Sequence, residues 1–511
     1  MLFTSLEFVF IFFPLTWIIF FFLSRKYKSF LAVFLLITSW VFCFLTSIQG
    51  LVILLFSVIF NYIIGSFISK KNGNNLLRWT IFGIVANITV LFYFKYASGK
   101  LSFLIENSDK MSENYVAFGI PLGLSFYTLF QISYLIDLYK KRKENLPLIN
   151  YALTVSMFSQ LPAGPILVYK NAYNKFKDIG RNDLNMDMVN KGVSLFVFGL
   201  YKRALFAQPM SLLVNEVYDK LKLGSEITVL DSLIASWGFL LQLYFDFSAY
   251  SDMAIGIALC FGIQLPINFN SPLKAKSAGD YILRWHISLI AFTRDYVFVP
   301  VSNSVRKYLK GSSVKKQLWG WILGTFAAYM VINTWHSPTL NFLLYGIIVG
   351  VFVIISQMTN LKLQTALKLK SHKFLKLLYP YLSQLMLLIV ASIITMSLRA
   401  ENMQMIQKVI KGIFIFPMSA STWFEWKSVK LFGYGTLGVS IILFMSITSL
   451  IAISGPNTME IFKIIRIKKT VWYTKYFWNP TLIWGIIIGV LLFLYLILGD
   501  SSKQDFIYAR F

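Results

Sequence analysis

This chain of 511 residues contains few charged residues and few cysteines. Charged residues make up 14% of it and apolar residues 57%, whereas about 25% of a soluble domain is charged. The two cysteines, Cys43 and Cys260, lie far apart inside apolar runs, which indicates two small buried hydrophobic residues. The composition therefore excludes an ordinary soluble enzyme, a disulfide framework, a paired-cysteine metal site and a catalytic thiol.

Acidic residues are scarce as well: 22 Asp and Glu stand against 48 Lys and Arg, a net charge of +26. Such an excess can serve nucleic-acid binding. Here, however, the basic residues form short clusters between apolar runs, at 25–28, 70–71, 140–143 and 463–469. Cytoplasmic loops of membrane proteins carry such clusters because positive loops resist translocation. We therefore expect membrane topology, and no nucleic-acid partner, to explain the charge.

Long apolar runs predict an all-α integral membrane protein with about 11–13 transmembrane or re-entrant helices, since one span needs about 20 apolar residues. The runs lie near 8–24, 30–46, 51–69, 79–97, 119–139, 151–168, 190–210, 230–262, 318–334, 340–357, 376–397, 432–453 and 479–498. With the N-terminus outside, the clusters at 25–28, 70–71 and 140–143 all face the cytoplasm. The first run has no secretory cleavage site, so we expect it to remain as a span.

The chain is predicted to form a single multi-span domain over residues 1–511, with N-terminal spans in 1–118, a core in 119–350 and C-terminal spans in 351–511. Within the core, the segment 263–317 mixes prolines and asparagines with charged and aromatic residues. Irregular backbone at membrane depth is tolerated only inside protein or beside a wet cavity. We expect short amphipathic or re-entrant helices there, and the chemistry as well.

The chain has three histidines. His372 lies among lysines and is expected to be solvated. His336 closes an apolar run beside Trp335, where an ionisable group indicates a function unless it is an interfacial anchor. His286 has charged and aromatic neighbours, so a salt-bridged interfacial helix is the alternative to a functional role. If its surroundings are helical, residues 284, 288, 291 and 295 share one face.

Two carboxylates, Asp246 and Asp252, lie in an apolar stretch and need partners such as an arginine or a tyrosine hydroxyl. Helix packing, a site wall and a proton pathway are all open to them. The sequence has no phosphate loop, dinucleotide fingerprint, zinc spacing or Gly-x-Ser-x-Gly elbow. General-base removal of a proton from a hydroxyl is the most compatible chemistry, because a histidine without a carboxylate partner stays neutral in a dry site.

Several motifs resemble the membrane-bound O-acyltransferase family, in particular its bacterial branch typified by the alginate O-acetylation membrane protein. The resemblance extends from residue 1 to about residue 350. It is carried by 1–8 (MLFTSLEF), 91–97 (LFYFKYA), 120–128 (IPLGLSFYT), 160–166 (QLPAGPI) and 244–256 (YFDFSAYSDMAIG). The most specific pieces are 265–272 (LPINFNSP), 284–289 (RWHISL) and 294–296 (RDY), followed by Trp335-His336.

The resemblance implies a ring of tilted helices around a thinned membrane centre, with a tunnel joining the two faces. It implies that His336 is catalytic, and that His286 is the second family histidine, on the cytoplasmic side. The residues that become candidates for substrate binding or the tunnel wall are Trp335, Arg284, Trp285, Asp246, Asn268, Asn270 and Asp295. The chain departs from the family at Leu283, usually an arginine, at Thr334, usually a leucine, and at Ser337-Pro338, usually Gly-Ala. These changes leave the histidines in place.

The activity implied is transfer of an acyl group, acetyl first of all, from a cytoplasmic thioester such as acetyl-CoA, with His336 as general base. The acceptor would be a hydroxyl of an extracytoplasmic polysaccharide or cell-wall glycan. The enzyme is expected to use no metal and no tightly bound cofactor. Expected partners are the donor, the glycan, membrane lipid and a periplasmic or extracellular acyltransferase- or esterase-like protein. The chain itself is expected in a bacterial inner or plasma membrane. The alternatives are D-alanyl or other acyl transfer to teichoic acid, lipid or protein, a glycan transporter or flippase, and a non-catalytic scaffold.

Overall fold

The computed structural model describes residues 1–70, 75–97, 120–179, 183–336, 340–369, 373–400, 402–414, 430–431, 434–435, 438–465 and 472–498. The regular structure of these residues is helical except for one short antiparallel pair, β1 (Lys430–Leu431) and β2 (Tyr434–Gly435). The prediction of an all-α membrane protein is confirmed.

The N-terminal helices are long and apolar on almost every side, as contact with lipid requires. They are α1 (Phe13–Lys26), α2 (Leu31–Thr46), α3 (Ile48–Lys70) and α4 (Asn75–Phe92). Wide π-helical turns extend two of them, at Phe8–Phe12 before α1 and at Tyr93–Ala97 after α4. Large side chains such as Phe22 and Phe56 are exposed on the outer faces, where hydrocarbon would cover them.

In the part of the chain that the structure describes, six helices are long and apolar enough to cross a membrane. They are Phe8–Lys26, Lys28–Thr46, Ile48–Lys70, Asn75–Lys95, Phe342–Thr359 and Leu377–Met396; Val439–Ser454 and Leu482–Ile497 are apolar but shorter. The predicted runs near 230–262 and 318–334 also form long helices, whereas some other predicted runs form shorter ones. The run near 151–168 is one of them: its helix ends at Ser156, and the buried backbone after it is irregular around Pro162 and Pro165.

A fully buried helix forms the centre of the molecule. The helices that lead to it are α5 (Leu124–Tyr139), α6 (Leu148–Ser156), α7 (Tyr169–Lys177), α8 (Met186–Lys202), α9 (Gln208–Lys222) and α10 (Val229–Leu233). The central helix is α11 (Phe239–Cys260), in which every residue is buried. A π turn at Ile234–Gly238 joins α10 to α11, so the stretch from 229 to 260 is continuously helical.

Glycines let α8 approach α11 closely. A Cβ atom on Gly256 would lie 2.6 Å from the carbonyl oxygen of Gly192 and 2.7 Å from the backbone nitrogen of Phe196. Small residues commonly permit such approach between membrane helices. Close packing of these backbones therefore holds α11 in place.

Two ion pairs join the same region. The Nζ atom of Lys202 lies 2.5 Å from Oδ2 of Asp252, and Nε of Arg203 lies 2.9 Å from Oδ1 of Asp246. Both carboxylates are buried, and a buried charge is stable only when paired. The expected partner for Asp246 is indeed an arginine, whereas Asp252 is paired with Lys202, whose Nζ also donates to Oγ1 of Thr458 at 3.1 Å.

The segment 263–317 folds as short helices separated by irregular backbone. They are a 3₁₀ turn at Pro272–Lys274, α12 (Ala278–Ile282), α13 (Ile287–Thr293), a π turn at Arg294–Phe298 and α14 (Val299–Tyr308). The helices that follow are α15 (Ser313–His336), α16 (Leu340–Leu369), α17 (Lys373–Met396), α18 (Met403–Ile413), α19 (Gly438–Ser454), α20 (Thr458–Ile461) and α21 (Leu482–Leu498). α14 and α16 pack against α15, which carries His336 at its end.

Gly256→Ala should destabilise the fold by about 1–3 kcal/mol, because the new methyl group meets backbone atoms of α8 that cannot move aside. Thermal unfolding in detergent measures the effect as a lower melting temperature. Gly485→Ala is the matched control, since nothing lies within 4 Å of a Cβ there. An equal melting temperature for Gly256→Ala and the unchanged protein would contradict the close packing of α8 on α11.

Candidate active site

His286 lies in a turn between α12 and α13, and its side chain is buried. Its backbone is left-handed, with φ 44°, a conformation that histidine adopts more often than most residues other than glycine. The carbonyl oxygen of His286 accepts hydrogen bonds from the N–H groups of Leu289 and Ile290. α12 ends at Ile282, and α13 begins directly after the histidine, at Ile287.

A second stretch of backbone holds this turn in place. The N–H of Ile287 donates to the carbonyl oxygen of Asn268 at 2.9 Å, and the N–H of Asn270 donates to that of Arg284 at 3.0 Å. These bonds tie the turn on both sides of His286 to the irregular segment that leaves α11. The position of the histidine is consequently fixed by backbone contacts.

The side chain of Asn268 extends this network to α11. Its Oδ1 accepts a hydrogen bond from Oγ of Ser288 at 2.5 Å, and its Nδ2 donates to Oγ of Ser251 at 3.1 Å. The Ser288 hydroxyl also accepts from the N–H of Ile166 at 2.9 Å. Because Asn268 and both serines are buried, every one of these bonds is costly to lose.

Aromatic rings fix the orientation of the Trp-His pair. The His286 ring meets Phe247 of α11 edge to face, with centroids 4.7 Å apart. The Trp285 ring stacks on Tyr281 at 5.7 Å and meets Phe269 edge to face at 5.1 Å. Such offset and edge-to-face pairs are the favoured aromatic geometries.

His336 is the last residue of α15 and is partly buried. Its ring meets that of Trp335 at 4.9 Å between centroids. The Trp335 Nε1–H donates to the carbonyl oxygen of Ser125 at 3.4 Å, and its ring meets Phe126 edge to face at 5.7 Å. The Nζ of Lys95 donates to the Trp335 carbonyl oxygen at 2.6 Å. Helices α4 and α5 thus both hold the end of α15.

The two histidines line one cavity of about 180 Å³. The other side chains of its wall that carry a polar atom are Tyr281, Trp285, Tyr329, Asn333, Tyr345 and Thr395. The remaining wall is aliphatic or aromatic, and six of its residues come from α16 and α17; among the described residues that line it there is no charged side chain. A neutral, largely apolar chamber with two imidazoles suits an uncharged acyl group and a proton transfer.

Trp285 is the candidate that lines this cavity with the two histidines; the candidates that lie outside its lining are Trp335, Arg284, Asp246, Asn268, Asn270 and Asp295. These residues make other contacts. Nε of Arg284 lies 2.7 Å from Oδ1 of Asp280, for example. Oδ1 of Asn270 accepts a hydrogen bond from Asn457 at 3.1 Å.

Asp295 joins the π turn after α13 to α7. Its carboxylate lies 2.6 Å from Nζ of Lys170 and 2.8 Å from Nε of Arg294. Burial raises the pKa of Asp295, but hydrogen bonds from Arg294 and Lys170 outweigh it and hold that pKa below its usual value. The helical face proposed for residues 284, 288, 291 and 295 does not form, because the turn at His286 separates α12 from α13.

Several cavity residues were missed in the sequence, although a signal was present for some. Tyr329 and Asn333 precede His336 by seven and three residues on one helix, so all three share a face. Tyr345 belongs to the next helix and carried no sequence signal. Lys95 lay inside a motif of the family resemblance, but nothing in the sequence connected it to Trp335.

His372 lies outside the described residues. Within the part that the structure does describe, no group of three His, Cys, Asp or Glu residues is arranged to hold a metal ion.

Comparison with known proteins assigns the family. The model of the membrane-bound O-acyltransferase family matches residues 123–400, more than half of the chain. The matched region contains both cavity histidines and the segment 263–317. The chain belongs to the membrane-bound O-acyltransferase family, which confirms the resemblance, and it is a multi-pass membrane enzyme that transfers acyl groups.

Similar proteins act on different acceptors. A peptidoglycan O-acetyltransferase of Helicobacter pylori is 30% identical over 445 residues, covering 81% of this chain and 80% of that protein. A probable alginate O-acetylase of Pseudomonas aeruginosa is 30% identical over 370 residues, or 70% of this chain and 66% of that protein. A teichoic acid D-alanyltransferase of Bacillus subtilis is 27% identical over 229 residues, which cover 44% of this chain and 56% of that protein.

Asn268→Ala should lower acyl transfer at least about 10-fold, because the turn that carries His286 loses its side-chain anchor. The two serine hydroxyls left behind should also lower the free energy of unfolding by about 1–3 kcal/mol. Asn174→Ala is the control, since Asn174 is exposed and accepts one long hydrogen bond, 3.5 Å, from Lys143. Activity and melting temperature are compared at equal protein level; unchanged activity in Asn268→Ala would refute the anchoring role.

Proposed function

We propose that this enzyme moves an acyl group, acetyl in the first instance, from a cytoplasmic thioester donor to hydroxyl groups of an extracytoplasmic polysaccharide or cell-wall glycan. His336 serves as the general base, and the membrane is the bacterial inner or plasma membrane. The observation that carries the proposal is the shared cavity, in which two histidines from separate elements face a neutral wall. Acetyl-CoA or another acyl thioester is the proposed donor.

The chemistry needs one base and an apolar chamber. His336 takes the proton of the acceptor hydroxyl while the hydroxyl oxygen bonds to the thioester carbonyl carbon. The carbon–sulfur bond then breaks, and the leaving thiolate takes the proton back from His336. His286 lines the same cavity, where it can contact the donor or the carbonyl oxygen. The aliphatic wall limits water, which would otherwise compete with the acceptor.

Contacts around α7 support a cytoplasmic position for the His286 side. Asp295 contacts Lys170 of α7, and Lys143 contacts Asn174 of the same helix. Lys28, in another basic cluster, lies 2.6 Å from Asp183 shortly after α7. Basic clusters of this kind face the cytoplasm in membrane proteins. The donor would therefore enter from the side on which the π turn after His286 lies.

Contacts of Trp335 support an opposite position for His336. Trp335 is held by Lys95 at the far end of α4 and by Ser125 at the start of α5. α4 begins just after the basic cluster at 70–71, and α5 ends just before the one at 140–143. Both contact points thus lie at the ends of their helices that face away from the cytoplasm. The acceptor would meet the acyl group near His336, so it need not cross the membrane.

The acceptor class and the partner are part of the proposal. The relatives named for peptidoglycan and alginate acetylation favour a hydroxyl-rich glycan. A periplasmic or extracellular acyltransferase- or esterase-like protein would complete transfer where the glycan cannot reach the cavity. D-alanyl transfer to teichoic acid and glycan transport are alternative outcomes of the test below.

His336→Ala should lower acyl transfer at least about 100-fold, the usual contribution of a positioned general base. Membrane vesicles that carry the protein receive labelled acetyl-CoA on the cytoplasmic side, and label is followed into extracytoplasmic glycan. His336→Gln retains a polar side chain of similar size without a comparable base and should be equally inactive. His372→Ala, in the lysine-rich segment, is the control and should label normally.

Equal labelling by His336→Ala and the unchanged protein, at equal protein level, would refute the role of His336 as general base. If a D-alanyl thioester labels the glycan and acetyl-CoA does not, the transferred group is D-alanyl and not acetyl. Movement of an unmodified glycan without any labelling would favour a transporter instead.

A further inference from the structure

Lys95 places a cation against the helix end that carries His336. It lies in the π turn at Tyr93–Ala97, and its side chain is partly buried. Its Nζ lies 2.6 Å from the carbonyl oxygen of Trp335 and 5.2 Å from the centroid of the Trp335 ring. The distance along the chain between the two residues is 240 positions, so this is a tertiary contact between α4 and α15.

The carbonyl contact has a clear physical role. Carbonyl groups in the last turn of a helix lack the N–H partner that a further turn would supply, and they carry the negative end of the helix dipole. A lysine that donates to such a carbonyl satisfies it and is attracted by that dipole. A charged hydrogen bond is also stronger than a neutral one, particularly away from water.

The contact with the ring helps to fix the position of the Trp335 indole beside the histidine. The ammonium lies over one face of the indole, a cation–π arrangement. Phe126 meets the indole edge to face and Ser125 accepts its N–H, so the tryptophan is held by groups from α4 and α5. The His336 ring contacts this indole ring, with centroids 4.9 Å apart.

We propose that Lys95 is a positioning residue for acyl transfer, which caps the end of α15 through the Trp335 carbonyl and so fixes the orientation of the His336 ring. The inference rests on the proposed role of His336 as general base. Lys95 does not line the cavity and contacts Trp335, so the role we assign to it is positioning. Lys95 lies in the π turn that follows α4, in keeping with the frequent occurrence of such turns at functional sites.

Two variants separate positioning from simple support of the fold. Lys95→Met keeps a long flexible stem and removes the ammonium, whereas Lys95→Arg keeps the charge and several donors. Lys70→Met is the matched control, since Lys70 also ends an apolar helix but is exposed. Transfer is measured in vesicles as kcat and as KM for acetyl-CoA, and melting temperature is measured in detergent.

Lys95→Met should lower kcat about 10- to 100-fold with little change in KM, because a misplaced base slows the chemical step and leaves donor binding intact. Lys95→Arg should recover most of kcat, and Lys70→Met should behave as the unchanged protein. Full kcat in Lys95→Met would overturn the proposal. So would an arginine variant as slow as the methionine variant, or a loss that follows melting temperature alone.

Hydrogen exchange of the end of α15 tests the clamp without any catalysis. Amide hydrogens in peptides that cover residues 329–336 should exchange faster in Lys95→Met than in Lys70→Met. The exchange measurement does not require acetyl transfer. If vesicles with the unchanged protein transfer no acetyl group, the proposed function fails, but the exchange result still tests the contact of Lys95. Equal exchange in the two variants would show that Lys95 does not hold the helix end, and the proposal would fail.

Discussion

A polar group inside a membrane protein must find its partner in the protein, because hydrocarbon offers none. Ion pairs and hydrogen bonds of the central helix meet this constraint at several positions. Lys202 and Asp252 tie α8 to α11, and Asn268 ties the turn of His286 to the same helix. Lys95, at the end of an apolar span, meets the Trp335 carbonyl. Partnered polar groups thus fix the rigid elements on which both histidines lie.

The site built on these elements has little charge of its own. Its described wall is apolar apart from tyrosines, an asparagine, a threonine, a tryptophan and the two imidazoles. The charged side chains lie behind the wall, where Arg284 contacts Asp280 and Asp295 contacts Lys170. An apolar chamber strengthens the hydrogen bonds formed inside it and limits hydrolysis. The fold therefore separates these charged side chains from the neutral cavity in which we propose that acyl transfer takes place.

The sequence predicted the all-α membrane fold, the family and the enzyme class, because apolar runs and ordered motifs are local features of the chain. It did not predict that the helix in the run near 151–168 ends at Ser156, where irregular backbone around Pro162 and Pro165 follows. The contacts of the site were less accessible still. Tyr329 and Asn333 share a helix face with His336 and were predictable in principle. The contact between Lys95 and Trp335 joins residues 240 positions apart, which no local pattern reveals.

The central claim is that acyl transfer takes place in the cavity shared by His286 and His336. An acyl-CoA with a photoreactive diazirine in its acyl group tests this directly, by irradiation of vesicles and mass mapping of the labelled peptides. We predict label in the stretches 278–293 and 329–353, which contribute to the wall, and loss of that label with excess acetyl-CoA. Label confined to the N-terminal helices, or label in the wall that excess acetyl-CoA does not displace, would contradict the account.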